Sequence, residues 1–289
     1  MLDYISSFSI AGIVHIVGLL LLSKSKCNFL NQRILTINLA LAEMLFCWVR
    51  VIYSSVVYTR NDGFIIKISV MAISVLLFTE IRFAMLHIIF DRFFEIYTNI
   101  KYPVYMTRKM LLILVVSQWV VSVLSGVIAL ALQILVSKHD SLVFSFTLFL
   151  CLDILVFLFG IATYAYFYFT AKKLRSLEIR IPNQTNDGGR LLLKKFQLPC
   201  YIVLTYILFN ITSTGMLTMS RNVHFETAKT LFHFSYAPIV AGFISDALIY
   251  TIGDRNVRKL LRTMLRRETL QVSNRISDLV IVKTSYSLS

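Results

Sequence analysis

Runs of about twenty apolar residues, parted by short polar stretches, recur along almost the whole chain, and that is the length a helix needs to cross the hydrocarbon of a bilayer. Seven such segments can be marked, at about 5–23, 33–57, 64–92, 110–136, 142–171, 194–218 and 227–252. No water reaches peptide groups inside a bilayer, so each segment must close its own backbone hydrogen bonds, which leaves helices. Only 15% of the 289 residues are charged and the mean hydropathy is +0.73. A soluble domain carries roughly 25% charge. The expected fold is therefore an all-α membrane protein with seven helices, and no linker is long enough to hold a second domain.

The formal charge of +14 invites a nucleic-acid reading, which its distribution removes. If the N-terminus is outside, most of the 29 Lys and Arg residues fall on the cytoplasmic side: Lys24, Lys26, Arg33, Arg92, Lys101, Arg108, Lys109, Lys172, Lys173, Arg175, Arg180, Arg190, Lys194, Lys195 and those of the tail. Outer loops and helix rims keep Arg60, Lys67, Lys138, Arg221 and Lys229, while Arg50 and Arg82 lie within segments. This is the positive-inside pattern, and it places the C-terminus in the cytoplasm against anionic lipid. The first segment is preceded by Asp3 and no basic residue, so it reads as a spanning helix, not a removable signal.

Cys27 lies in an inner loop, and Cys47, Cys151 and Cys200 lie in segments, so no extracellular disulfide is expected. The sequons at Asn183 and Asn210 fall in an inner loop and in the sixth segment, out of reach of lumenal glycosylation, and read as chance matches.

Ionisable residues inside a span are costly and are functional candidates by default. The chain has Glu43, Glu80, Arg82, Asp153 and Asp246 there. Glu43 reads equally well as a functional acid or as a neutral, hydrogen-bonded packing residue. Glu80 and Arg82, two residues apart, point to different faces of one helix and should find partners on neighbouring helices. His15 reads as a packed helix residue.

At the end of the third segment, Phe90-Asp91-Arg92-Phe93 leads through Ile96-Tyr97 to Lys101-Tyr102-Pro103. Asn38-Leu39-Ala40 with Glu43 stands in the second segment, Trp119 in the fourth, and Asp246-Ala247-Leu248-Ile249-Tyr250 closes the seventh. Together these resemble rhodopsin-like (class A) G protein-coupled receptors. The resemblance covers about two thirds of the chain, with its motifs in the right order. The family's pattern is Asp-Arg-Tyr, Asn-Leu-Ala-x-x-Asp and Asn/Asp-Pro-x-x-Tyr, so Phe93, Glu43 and Ala247 are departures. The Cys-Trp-x-Pro of the sixth helix is replaced by Phe209-Asn210-Ile211-Thr212, which puts the usual kink in doubt; Pro199 is expected to bend the inner end instead.

The resemblance implies a seven-transmembrane domain over 1–252, an amphipathic eighth helix over 253–267 and a disordered cytoplasmic tail over 268–289. Val257, Leu260, Leu261, Met264 and Leu265 do recur at helical spacing beside a basic face, as a helix lying on a membrane requires. The implied function is to pass the binding of an unknown extracellular ligand, at the plasma membrane, to a heterotrimeric G protein transducer. Asp91, Arg92, Phe93, Asp246, Tyr250 and Tyr164 would form the coupling switch. Asn38, Glu43 and Asp246 would form an intramembrane polar site able to hold sodium, the two acids sharing a proton or a cation. Ser74, Phe78, His233 and Tyr236 are ligand-pocket candidates by position. Ser74 stands where amine-binding members carry Asp, which speaks against a biogenic amine. The seventh helix has no interior Lys, so retinal is not expected as a cofactor. The tail's serines and threonines would suit a receptor kinase and arrestin, or belong to a plain disordered tail. No metal-ligand pair or Ser-His cluster suggests an enzyme. The competing readings are a transporter or channel that uses the intramembrane acids, and a receptor-like chain with impaired signalling.

Overall fold

The computed structural model describes residues 2–24, 30–58, 64–98, 101–136, 138–180, 200–219, 225–252 and 257–263. They are helical almost throughout, with no strand among the described residues. In chain order the helices are α1 (Leu2–Lys24), α2 (Leu30–Tyr58), α3 (Phe64–Thr98), α4 (Arg108–Leu135), α5 (Lys138–Arg180), α6 (200–219) and α7 (Phe225–Ile252), with a one-turn helix, Tyr102–Tyr105, between α3 and α4. Six are long and apolar enough to cross a membrane; the apolar part of α6, Cys200–Met216, is shorter. The chain is an all-α, multi-pass membrane protein.

Helix α4 shows what solvent the fold was built for. Its buried residues are Leu111, Gln118, Ser122, Ser125, Gly126 and Ala129. Its exposed residues include Ile113, Val116, Val120, Leu124 and Val127. A soluble helix buries its apolar stripe and exposes its polar one; here small and polar residues face the bundle and branched aliphatic ones face outward. That inversion is expected when the surroundings are lipid, because apolar side chains gain nothing by leaving it, whereas small residues let helices approach and polar ones bond across. Gly126 marks a close approach: a Cβ there would stand 3.0 Å from the Ala72 carbonyl oxygen and 3.0 Å from Leu76 Cβ on α3.

Two expected boundaries are corrected. α3 continues to Thr98, past the expected end at 92, and α5 continues to Arg180, past 171, so the inner loop expected from Lys172 begins as helix. The physical reason is the same in both. Charge ends a membrane span but not a helix, and Lys, Leu, Arg and Glu are good helix formers. The first strong breakers are Pro103 and Pro182. Thr107 then caps α4, accepting the Met110 N–H at 3.3 Å.

In α6, residues Ile207–Ile211 form a π-helical turn with Asn210 buried in it. This is the position where the sequence lacks a Pro and a kink was doubted. A π-turn widens one helical turn and leaves a carbonyl without its usual donor, so it supplies an irregularity without Pro. Gly242 of α7 makes room for it: a Cβ there would lie 3.1 Å from Phe209 Cβ. Burial also keeps Asn210 from serving as a glycosylation acceptor. Of the amphipathic helix expected at 253–267, residues 257–263 are described and are helical, with Val257 buried and Arg258, Lys259 and Arg262 exposed; Met264 and Leu265, the tail, Cys27, Pro199 and the Asn183 sequon lie outside the described residues.

The Gly126 contact gives a direct test. Gly126→Val should lower the unfolding free energy in detergent by about 1–3 kcal/mol through overpacking against the α3 backbone. Gly215→Ala, at a site with nothing within 4 Å, should be neutral or slightly stabilising in the same thermal melt.

Candidate functional site

Among the described residues, three buried polar clusters join the helices of the bundle and a cavity opens towards each end. The first cluster is built on Arg82 of α3, which has no exposed surface. Its Nε lies 2.9 Å from Asp153 Oδ1 and its second terminal nitrogen 3.0 Å from Oδ2, a two-pronged pair to α5. Tyr206 donates its hydroxyl to Asp153 Oδ1 at 2.6 Å, and Thr214 donates to Oδ2 at 2.7 Å, so α6 is held by the same carboxylate. The guanidinium also stacks between Phe78 and Phe149, 4.2 and 4.6 Å from the ring centres.

The second cluster is centred on Glu80, on another face of α3 as the two-residue spacing from Arg82 requires. Its carboxylate accepts from Asn38 of α2 at 3.1 Å and from Gln118 and Ser122 of α4 at 2.6 and 2.9 Å. Trp119 donates its indole N–H to Asn38 Oδ1 at 2.8 Å, and His87 lies 2.9 Å from Gln118 Oε1.

The third joins α1, α2, α6 and α7. Glu43 and Asp246 are both buried, side by side. Two carboxyl groups so close in a low dielectric cannot comfortably both ionise, so they would share a proton or a cation. Tyr250 donates to Glu43 Oε2 at 3.0 Å and lies 2.7 Å from His15 Nδ1, while His15 Nε2 is 3.5 Å from the same Glu43 oxygen. Thr205 of α6 donates to Asp246 Oδ1. Asn38, expected beside these acids, is five residues from Glu43 on α2, hence on a different face, and belongs to the Glu80 cluster instead.

Arg92 stands at one end of the bundle, nearly buried. It is paired with Asp91 and with Glu95, and Tyr102 donates its hydroxyl to Asp91. Phe93 stacks on Tyr97 and packs against Tyr166. An apolar cleft of about 480 Å³ opens beside Arg92 between α3, α5 and α6, and Tyr164 is on its wall with much of its side chain exposed. At the other end a cavity of about 410 Å³ gathers Ser74, Phe78 and Tyr236 together with Arg50 and Lys67. The His233 side chain lies outside the described residues. Cys47, Cys151 and Cys200 are free thiols.

Sequence reasoning gave no role to Tyr4 and Arg50, which hydrogen-bond to each other, to Glu95, or to Gln118, Ser122, Thr205, Tyr206 and Thr214, and it read His15 only as a packed residue. The signal for Arg50 was present, an arginine inside a span. His15 and Tyr4 carry no local pattern, and only the packing of α1 against α2 and α7 gives them partners. No protein-family model matches the chain, and no curated protein matches it.

Removing one member of the Arg82 pair should be severe. Asp153→Asn leaves a buried cation without its anion and should cost about 3–5 kcal/mol in a detergent unfolding experiment. The double substitution Arg82→Met with Asp153→Leu should cost clearly less than the two single changes combined, since no buried charge is then left alone.

Proposed function

We propose that the chain is a rhodopsin-like G protein-coupled receptor, with the shorter α6 counted as the seventh span and residues 257–263 as the start of the eighth helix. The N-terminus would then be extracellular, the tail cytoplasmic and the membrane the plasma membrane, in keeping with the placement of the basic residues. One observation carries the reading above the others: a clamped arginine, Arg92, at the edge of an apolar cleft at one end, and an aromatic cavity at the other, with the Arg82–Asp153 network, which includes α6, between them.

The physical route between the ends is short. A ligand in the upper cavity would press on Phe78 and Phe149. Those rings stack on Arg82, and Arg82 with Asp153 holds Tyr206 and Thr214 of α6. A shift of the pair would free α6 to move at its π-turn, opening the cleft between α3, α5 and α6. Arg92, released from Asp91 and Glu95, would then face a G protein. Such a ligand acts by binding the open arrangement more tightly than the closed one. To swing the equilibrium from 1:99 to 99:1 it needs about 5.5 kcal/mol of differential binding. The Glu43–Asp246 pair, which also holds Thr205 of α6 and Tyr250 of α7, is a second control point. It would keep α6 and α7 docked while it holds one proton, or a cation in the proton's place.

Two measurements test this. Arg92→Ala should reduce guanine-nucleotide exchange in membranes about tenfold or more while surface expression stays near that of the unmodified chain. Full exchange, or ion flux through reconstituted vesicles in place of exchange, would refute the receptor reading in favour of a transporter or channel. Glu43→Gln and Asp246→Asn should each change basal exchange and flatten its dependence on pH or sodium. A double substitution with no effect on basal exchange at any sodium concentration would remove the pair from the switch.

A further inference from the structure

Three arginines lie inside the described helices, away from their ends, and they are not treated alike. Arg82 has Asp153, and Arg92 has Asp91 and Glu95. Arg50 of α2 is half-buried, and among the described residues no carboxylate pairs with it. Phenols surround it instead. Its Nε donates to the Tyr4 hydroxyl at 2.8 Å, and its charge lies 5.6, 5.2 and 4.6 Å from the ring centres of Tyr4, Tyr53 and Tyr236. Neutral hydroxyls and ring faces soften a charge without cancelling it.

Arg50 and Tyr236 line the upper cavity, and so does Lys67, which also has no carboxylate partner among the described residues. No Asp or Glu among the described residues is in the wall of this cavity. The rest of it is mostly apolar: Phe46 stacks on Phe78 with ring centres 4.8 Å apart, Phe149 meets Phe78 edge-on at 5.1 Å, and Val75 and Ile239 line the same wall. Its volume of about 410 Å³ is within the range of small-molecule sites, roughly 300–1,000 Å³. Two cations that no described carboxylate cancels, at the rim of an aromatic pocket, define the occupant by complementarity. A cationic ligand would add a third positive charge in a low dielectric; a neutral one would leave both cations without an anion.

We infer that this cavity binds an amphipathic organic carboxylate, its anionic head between Arg50 and Lys67 and its apolar body against Phe46, Phe78 and Phe149. The guanidinium's planar donors match a carboxylate's two oxygens, and the phenols of Tyr4 and Tyr236 hold it in place. This inference rests on the receptor reading only for its consequence, signalling; binding itself is independent of it.

The test uses the full chain in nanodiscs. 3-Phenylpropionate and decanoate serve as aryl and fatty-acyl probes, and 3-phenylpropanamide and 3-phenylpropylamine as neutral and cationic counterparts. Binding is read as a rise in melting temperature with concentration. At least one of the acids should stabilise the protein, and the amide and amine should bind about tenfold or more weakly. Arg50→Gln and Lys67→Gln should each cost the acid about tenfold in affinity, while Arg50→Lys should keep part of it. The unliganded Arg50→Gln protein should melt no lower than the unmodified one, because no anion is left behind; a folding defect would show there and in Lys67→Gln separately. Which of the two acids binds more tightly distinguishes a soluble ligand from one drawn from the bilayer. Equal stabilisation by acid, amide and amine, no stabilisation by either acid, or acid binding that survives both substitutions would overturn the inference. If the acid binds but fails to alter nucleotide exchange, the pocket stands and the receptor reading falls. If exchange depends on Arg92 but no acid binds, the reverse holds.

Discussion

The pair between Arg82 and Asp153 is the constraint from which the arrangement of the bundle follows. A charged guanidinium beyond the reach of water must have its anion, and the anion's remaining lone pairs must have donors. Arg82 is on α3, Asp153 on α5, and the donors Tyr206 and Thr214 on α6, so satisfying one charge fixes three helices against one another. Glu80 does the same for α2, α3 and α4 through Asn38, Gln118 and Ser122. Glu43 and Asp246, with His15, Tyr250 and Thr205, do it for α1, α2, α6 and α7. All seven helices are held by at least one of these nodes.

In water such nodes would be a poor investment, since desolvation offsets most of the attraction. In lipid the comparison changes. An exposed Val or Ile on α4 is as comfortable against an acyl chain as against another helix, so apolar contact alone does not choose a partner or a register. Bonds between polar side chains across helices contribute about 0.6–2 kcal/mol each in membrane proteins, which is modest, but they are directional. They decide which helix stands beside which, and small residues such as Gly126 then let the backbones close to contact.

This division explains what could be read in advance. Whereas the segment expected at 194–218 has an apolar helix, Cys200–Met216, shorter than the other six, six of the seven expected spans were legible because hydropathy acts locally. Their ends were less so, because the helices of α3 and α5 run on through charge as far as the breakers allow. That Glu80 and Arg82 would seek different neighbours followed from their spacing, but the identity of those neighbours did not. Nothing local to Asp153 or Gln118 says which residue it will face, and the partner is set by the packing of the whole bundle. The pairing of Glu43 with Asp246 was expected from the resemblance alone; Asn38, expected with them, was drawn to Glu80 by its place on the other side of α2. The π-turn at Ile207–Ile211 was illegible for another reason, since π-turns have no residue signature comparable to Pro.

The difference between a polar group that builds the fold and one that waits for something else is whether its account is closed inside the chain. Arg82 is closed: two contacts to one carboxylate, and two hydroxyls for that carboxylate's other lone pairs. Glu80 is closed by three donors. Arg92 is closed at one end of the bundle by Asp91 and Glu95, but both lie on its own helix, within one turn, and it borders an open cleft, so it can be released without moving any helix. Arg50 is surrounded but not neutralised by the described residues, and it borders a cavity of ligand size. Among the described residues, the two arginines that no carboxylate of another helix neutralises, Arg50 and Arg92, are thus the two beside open space, at opposite ends, and Arg82 lies between them. If the chain is the receptor proposed above, that order suits a signal carried from one end of the bundle to the other.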